Sequence, residues 1–197
     1  MPNNKYIVKS LAPWMIDEII AFSKLSKFDL ILLRSPNLFY SEGLKEVKSN
    51  GIDVYIQPTK YNMLFKKLRI SLLFVLKNLR KFGFNYNGII GLKSLIWFLK
   101  IDLSIFSEES RIHAQFATQA PVVSLLIKEF YERKPEISFT FHAYDIYFEN
   151  SWFNFLVEKS LKAFSISEFN LNYVKSNYGD FKNMELARLG VFRDEKR

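Results

Sequence analysis

The segment Phe139–Tyr147 (FTFHAYDIY) brings His142, Tyr144 and Asp145 together where an apolar run gives way to polar residues. A neutral imidazole can donate or accept a hydrogen bond and a nearby carboxylate can orient a hydroxyl, so the trio suits the binding of sugar hydroxyls. The same residue types describe a half-buried histidine closing a sheet edge and an aspartate opening a helix, and on residue types alone that structural alternative stands ahead. The other histidine, His113, like His142 sits at or just past the end of an expected strand, so both imidazoles could face one cleft. The sequence has no cysteine, which excludes disulfides, thiolate metal sites and cysteine nucleophiles and fits a reducing cytoplasm. Two histidines without a carboxylate cluster at ligand spacing make a poor metal site, and no metal is expected.

The elements that would carry these residues alternate. Strands are expected at 5–10, 29–33, 52–56, 111–114, 137–141, 163–166 and 184–188, because these runs are short, apolar and bounded by turn signals. Helical spacing of apolar residues appears at 14–25, 42–49, 61–82, 92–99, 118–131, 151–161 and 168–176, with Pro121 tolerated in a first turn. Gly83–Gly91 (GFNYNGIIG) is the only Gly/Asn-rich stretch and reads as a break. Alternation of this kind predicts an α/β fold with a doubly wound, mostly parallel sheet, in which ligands bind at the carboxyl ends of the strands. Those positions are Ser10, Arg34, Ser35, Gln115, His142 to Asp145 and Ser167. After the first strand stands Ser10-Leu11-Ala12-Pro13 in place of GxGxxG, and neither a GxSxG elbow nor a Walker motif occurs. Dehydrogenase, hydrolase and NTPase functions therefore lose their usual support.

The net charge of +8 is unevenly placed. From Lys60 to Lys100 there are nine basic residues and no Asp or Glu, while the rest of the chain is close to neutral. Within this stretch Lys66, Lys67, Arg69, Lys77, Arg80 and Lys81 are interleaved with Leu, Ile and Phe, the pattern of a basic amphipathic helical insertion. Such a face suits an anionic membrane surface first, a solvated helix second and nucleic acid third, since grooves for nucleic acid favour Arg with polar side chains. The six basic residues are thus expected to face a membrane, and no nucleic-acid partner is expected. No apolar run reaches the roughly 20 residues needed to span a bilayer, and Met1–Ser10 does not read as a secretory leader.

Several stretches resemble motifs of glycosyltransferase family 4, nearest to its colanic acid and exopolysaccharide type. They are Ile112–Thr118 (IHAQFAT), the helix opening at Ala120-Pro121, Ser138–Ile146 (SFTFHAYDI), Ala163–Tyr173 (AFSISEFNLNY), the first strand Tyr6–Ser10 with Asp17–Ile19, and Arg188–Val191 at the expected start of a linker. The resemblance implies the N-terminal, acceptor-side half of a GT-B enzyme, a Rossmann-like domain over residues 1–190 with the basic helical segment at 60–104. It further implies that His142 lies beside the transferred sugar as the catalytic residue, with Tyr144 and Asp145 in support. Ser10, His113, Gln115, Ser167 and Glu168 would line the acceptor cleft, although Gln115 stands where the family often has a second His. By the same resemblance the reaction is retaining transfer of a hexosyl group from a nucleotide-sugar to a lipid-linked saccharide in polysaccharide biosynthesis, at the inner face of the cell membrane. The chain ends in a charged tail, Arg193–Arg197, so the donor-binding C-terminal domain is expected to be absent. This domain alone is then expected to bind no cofactor, and to need a separate C-terminal half with its nucleotide-sugar for turnover. The alternative is a non-catalytic domain, truncated or split, that binds acceptor or membrane surface only.

Overall fold

The computed structural model describes residues 4–34, 41–56, 63–82, 86–147 and 150–187. Lys60, Ser35 and the expected linker and tail at 191–197 lie outside the described residues.

Seven strands form one sheet: β1 (Asn4–Val8), β2 (Asp29–Leu32), β3 (Val54–Ile56), β4 (Arg111–Gln115), β5 (Glu136–Phe141), β6 (Lys162–Ser165) and β7 (Met184–Leu186). Their order is β3-β2-β1-β4-β5-β6-β7, and every pairing is parallel. The helices are α1 (Pro13–Leu25), α2 (Ser41–Ser49), α3 (Leu64–Lys77), α4 (Tyr86–Lys100), α5 (Gln119–Phe130), α6 (Ala143–Tyr147), α7 (Phe153–Lys159) and α8 (Glu168–Asn177).

Side chains alternate across the strands, so each strand feeds two cores. Tyr6, Val8, Leu30 and Leu32 pack with Met15 and Ile19 of α1 and Val47 of α2 on one face. Ile7, Ile31, Ala114, Phe139, Phe141 and Ala163 pack on the other with α3, α4, α5 and α7. α5 lies between the sheet and α3, α4 and α7, and Val122, Val123, Leu126 and Ile127 are wholly buried. Each such side chain contributes about 1.5–3 kcal/mol relative to exposure.

The order also fixes where a crevice opens. α1 leaves β1 toward β2, and α5 leaves β4 toward β5, so the two connections diverge between the neighbouring strands β1 and β4. This is the switch point at which open α/β sheets bind ligands, beyond the carboxyl ends of the strands.

Three expectations from the sequence are corrected in the insertion. The helix expected over 61–82 is α3, closed at Lys77 and followed by a 3-10 turn, Leu79–Lys81. The Gly/Asn-rich stretch is helical from Tyr86 onward. Gly91 is there for closeness, since a Cβ on it would stand 2.7 Å from Phe82 and 2.8 Å from Trp152. Finally, Lys67 does not join the basic outer face. It is buried, and its Nζ donates to the carbonyls of Leu99 at 3.2 Å and Ile101 at 2.6 Å, closing the carboxyl end of α4. Burial pushes its pKa down, partly opposed by Asp102.

Candidate functional site

β5 ends at Phe141, and α6 begins two residues later, leaving His142 at the turn. The Asp145 carboxylate reaches back to accept the His142 backbone N–H at 2.9 Å, while the Asp145 N–H donates to the His142 carbonyl at 3.0 Å. This reciprocal pairing closes the first turn of α6 in the manner of a capping box and fixes the backbone that carries the imidazole. Asp145 is itself buried, which pushes its pKa up to about 6; the His142 and Ala117 amides pull it the other way. Its role here is to position His142.

Two aromatic rings hold the imidazole. Phe116, just past β4, lies 4.7 Å from the His142 ring, and Trp14, in the first turn of α1, lies 5.4 Å from it. Trp14 and Phe116 also meet edge-on at 5.9 Å. Phe116 adopts φ 69°, a left-handed conformation that is costly for a bulky side chain, by about 1–3 kcal/mol. Such strain persists where surrounding structure dictates it, and here the surroundings are the switch-point crevice. Burial pushes the His142 pKa down to about 4, so the ring is neutral near pH 7. Its Nε2 has no protein hydrogen-bond partner although it is buried. A neutral imidazole with one uncommitted nitrogen, gripped by two aromatic rings, can bind or polarise a hydroxyl.

A polar group stands at the end of β4, next in sequence to Phe116. The Gln115 Nε2 donates to both Glu18 carboxylate oxygens at 3.2 and 3.3 Å, and the Tyr6 hydroxyl donates to Glu18 at 3.2 Å. Burial raises the Glu18 pKa, and the bonds from Tyr6 and Gln115 oppose it. The Gln115 Oε1 is buried without a partner, a second uncommitted acceptor close to the strand exits.

The other predicted residues are placed less uniformly. Tyr144 and Glu168 are exposed at the starts of α6 and α8, and Ser10 is exposed beyond β1. Ser167 is occupied as the N-cap of α8, its Oγ accepting from the Asn170 N–H at 3.2 Å. His113 is not brought to the aromatic cluster. It sits within β4, its ring nitrogens bonded to Ser138 Oγ at 2.9 Å and Thr140 Oγ1 at 3.0 Å, with its ring packed near Tyr6 and Phe164. Burial holds its pKa at about 4. The residues that spacing alone did not single out are Glu18 and Phe116. Glu18 was legible one helical turn after Trp14 on α1, whereas the backbone conformation of Phe116 leaves no mark in the sequence.

No protein-family model and no curated protein matches the sequence. The site and sheet together define a Rossmann-like α/β domain with its crevice at the β1–β4 switch point. Among solved structures, a glycosyltransferase from Rickettsia africae ESF-5 has a similar fold, with a TM-score of 0.53 over 96% of this chain at 16% identity. The chain spans 43% of the length of that enzyme. The similarity is one of fold, the doubly wound α/β sheet that the alternation of strands and helices led one to expect.

Proposed function

We propose that this domain is the acceptor-binding half of a glycosyltransferase, with His142 at the reacting sugar. The observation that carries this is the uncommitted, neutral His142 Nε2 held between Trp14 and Phe116 at the switch point of a glycosyltransferase-type fold. Aromatic faces suit the apolar faces of pyranose rings, and the imidazole and Gln115 Oε1 suit their hydroxyls. The reaction is transfer from a nucleotide-sugar, supplied by a C-terminal donor-binding domain, onto a lipid-linked saccharide of a growing polysaccharide. Membership in family 4 and its exopolysaccharide branch rests on the SFTFHAYDI and IHAQFAT stretches.

The anionic membrane surface is the second partner. α3 buries Lys67, Ser71 and Phe74 and turns Phe65, Leu68, Leu72 and Leu76 outward, with Phe65 91% exposed. Lys66, Arg69, Lys77 and Arg80 are exposed on the same helix and the turn after it, and Lys81 is half-buried. No helix among the described residues is long and apolar enough to cross a membrane. An exposed apolar arc edged with cations fits peripheral seating on the inner face of the cell membrane.

The test is to supply a donor-binding half and measure sugar transfer with His142→Ala beside the unmodified domain. Loss of transfer with acceptor binding retained supports a catalytic His142. Unchanged transfer by the variant would remove the catalytic role from His142, and no transfer by the unmodified pair would leave a non-catalytic domain that binds acceptor or membrane only.

A further inference from the structure

The turn that carries Phe116 gets little support from its own residues. Phe116 holds φ 69°, a conformation that bulky side chains rarely adopt, and Thr118, the N-cap of α5, makes no side-chain capping bond. A bond to this turn comes instead from a residue 33 positions further along the chain. The Asn150 Nδ2 donates to the Ala117 carbonyl at 2.7 Å, and both residues are buried.

Asn150 is itself held firmly. Its Oδ1 accepts the Trp152 N–H at 3.1 Å and its carbonyl accepts the Phe153 N–H at 2.9 Å, which together form the turn into α7. That turn is anchored on the first turn of α4, where the Asn87 carbonyl accepts from Trp152 Nε1 at 2.7 Å and the Asn87 Oδ1 accepts the Ser151 N–H at 3.1 Å. Trp152 is wholly buried and stacks on Phe74 of α3. Two side chains from one stretch of chain therefore hold the two strand exits that meet at the site. Asp145 ties down the backbone of His142 after β5, and Asn150 ties down that of Ala117 after β4. The Phe116 and His142 rings, 4.7 Å apart, are each next to one of these anchored peptides.

We propose that Asn150 is a positioning residue of the site: by holding the Ala117 carbonyl it keeps Phe116 in its left-handed conformation, and so keeps the Phe116 ring against His142. Without that donor the Ala117 carbonyl would be buried and unpaired, and the turn would gain by relaxing Phe116 toward an ordinary conformation. Its ring would then leave the imidazole. Water would reach His142, and its basicity would rise toward that of a solvated histidine. This chain of contacts stands on the geometry alone; only its consequence for sugar transfer rests on the glycosyl-transfer reading.

The test uses the full chain, whose two histidines make one a control for the other. Histidine side-chain NMR follows the titration of His142 and His113 in the unmodified protein and in Asn150→Ser. The serine hydroxyl can still open the turn into α7 but is too short to bridge to Ala117. The expected result is a His142 pKa raised by about one unit or more from its value of about 4. That of His113, bonded to Ser138 and Thr140 within the sheet, should stay where it is. Circular dichroism melts check folding, and Asn150→Thr, which fills more of the volume, carries the test should the serine variant not fold. An unchanged His142 titration in a folded variant, or equal shifts of both histidines, overturns the positioning role. With a donor-binding half supplied, kcat should fall about tenfold while acceptor KM is nearly kept. Native transfer beside a shifted His142 would count against the catalytic reading of His142 and leave the Asn150 contact standing.

Discussion

The carboxylate of Asp145 accepts the backbone N–H of His142 at 2.9 Å, from three residues further along the chain. That single bond ties the end of β5 to the start of α6 and sets the direction from which the imidazole enters the crevice. Side chains that act through another residue are best separated from those that touch substrate by what their substitution changes.

Asp145→Asn keeps the acceptor oxygen and removes the charge. The Asp145 pKa is raised to about 6 from an ordinary value of 3.8, so its contribution to stability is fully present below the unfolded value and is lost as pH rises through about 6. Asn cannot ionise. The variant should therefore gain on the native protein as pH rises from about 4 to 7, by about 2 kcal/mol. Urea melts at the two pH values check this, and a gap that stays constant would show that the carboxylate is not buried in the native state.

His113 and His142 shift the opposite way. Both pKa values are lowered to about 4 from 6.5 by burial, so the stability they give is present above about pH 6.5 and lost as pH falls through 4. His113→Ala should flatten roughly half of this acid limb and cost about 2–4 kcal/mol, because Ser138 and Thr140 lose their partner and a void remains. Transfer by the folded variant should change little, since His113 lies below the aromatic cluster. A large rise in acceptor KM with unaltered melting would give it a direct binding role instead.

The doubly wound sheet was readable because its strands are short apolar runs set between helical periods, and the fourth to sixth strands and their helices fell within a residue or two of expectation. The insertion was less readable. Gly91 signals a break by type, yet it is the small residue that allows Phe82 and Trp152 to close on α4. Lys67 looks like its basic neighbours in sequence, and only the packing of α3 against α4 turns it inward to the Leu99 and Ile101 carbonyls. In the site, His142 and Asp145 were legible as a pair of residue types. Their reciprocal backbone bonds, and the strained Phe116 beside them, depend on tertiary contacts that local patterning does not encode.

Lys67 and its exposed neighbours should separate cleanly. Lys67→Met leaves two carbonyls without their donor and should cost about 2 kcal/mol in a urea melt, with vesicle binding unchanged. Replacing Arg69, Lys77 and Arg80 with Gln should leave the melt nearly unchanged and weaken cosedimentation with phosphatidylglycerol vesicles, by about 1 kcal/mol for each charge removed. Equal vesicle binding by that triple variant would remove the membrane role from α3.

The leucines test the apolar half of the same contact. Leu72→Ser and Leu76→Ser, both on the outer arc of α3, should lower vesicle binding by about 1 kcal/mol or more each without destabilising the fold, since neither side chain is in the core. Substantial loss of thermal stability would show that this arc is covered within the folded protein.

The most direct test of the central claim is the rate of sugar transfer by the domain paired with a donor-binding half, comparing native His142 with His142→Ala and with His142→Asn. The account predicts a fall of at least about a hundredfold in kcat for Ala, partial recovery with Asn, which restores a hydrogen-bonding group, and acceptor binding held within a few-fold. Transfer at the native rate by a folded His142→Ala domain would contradict it.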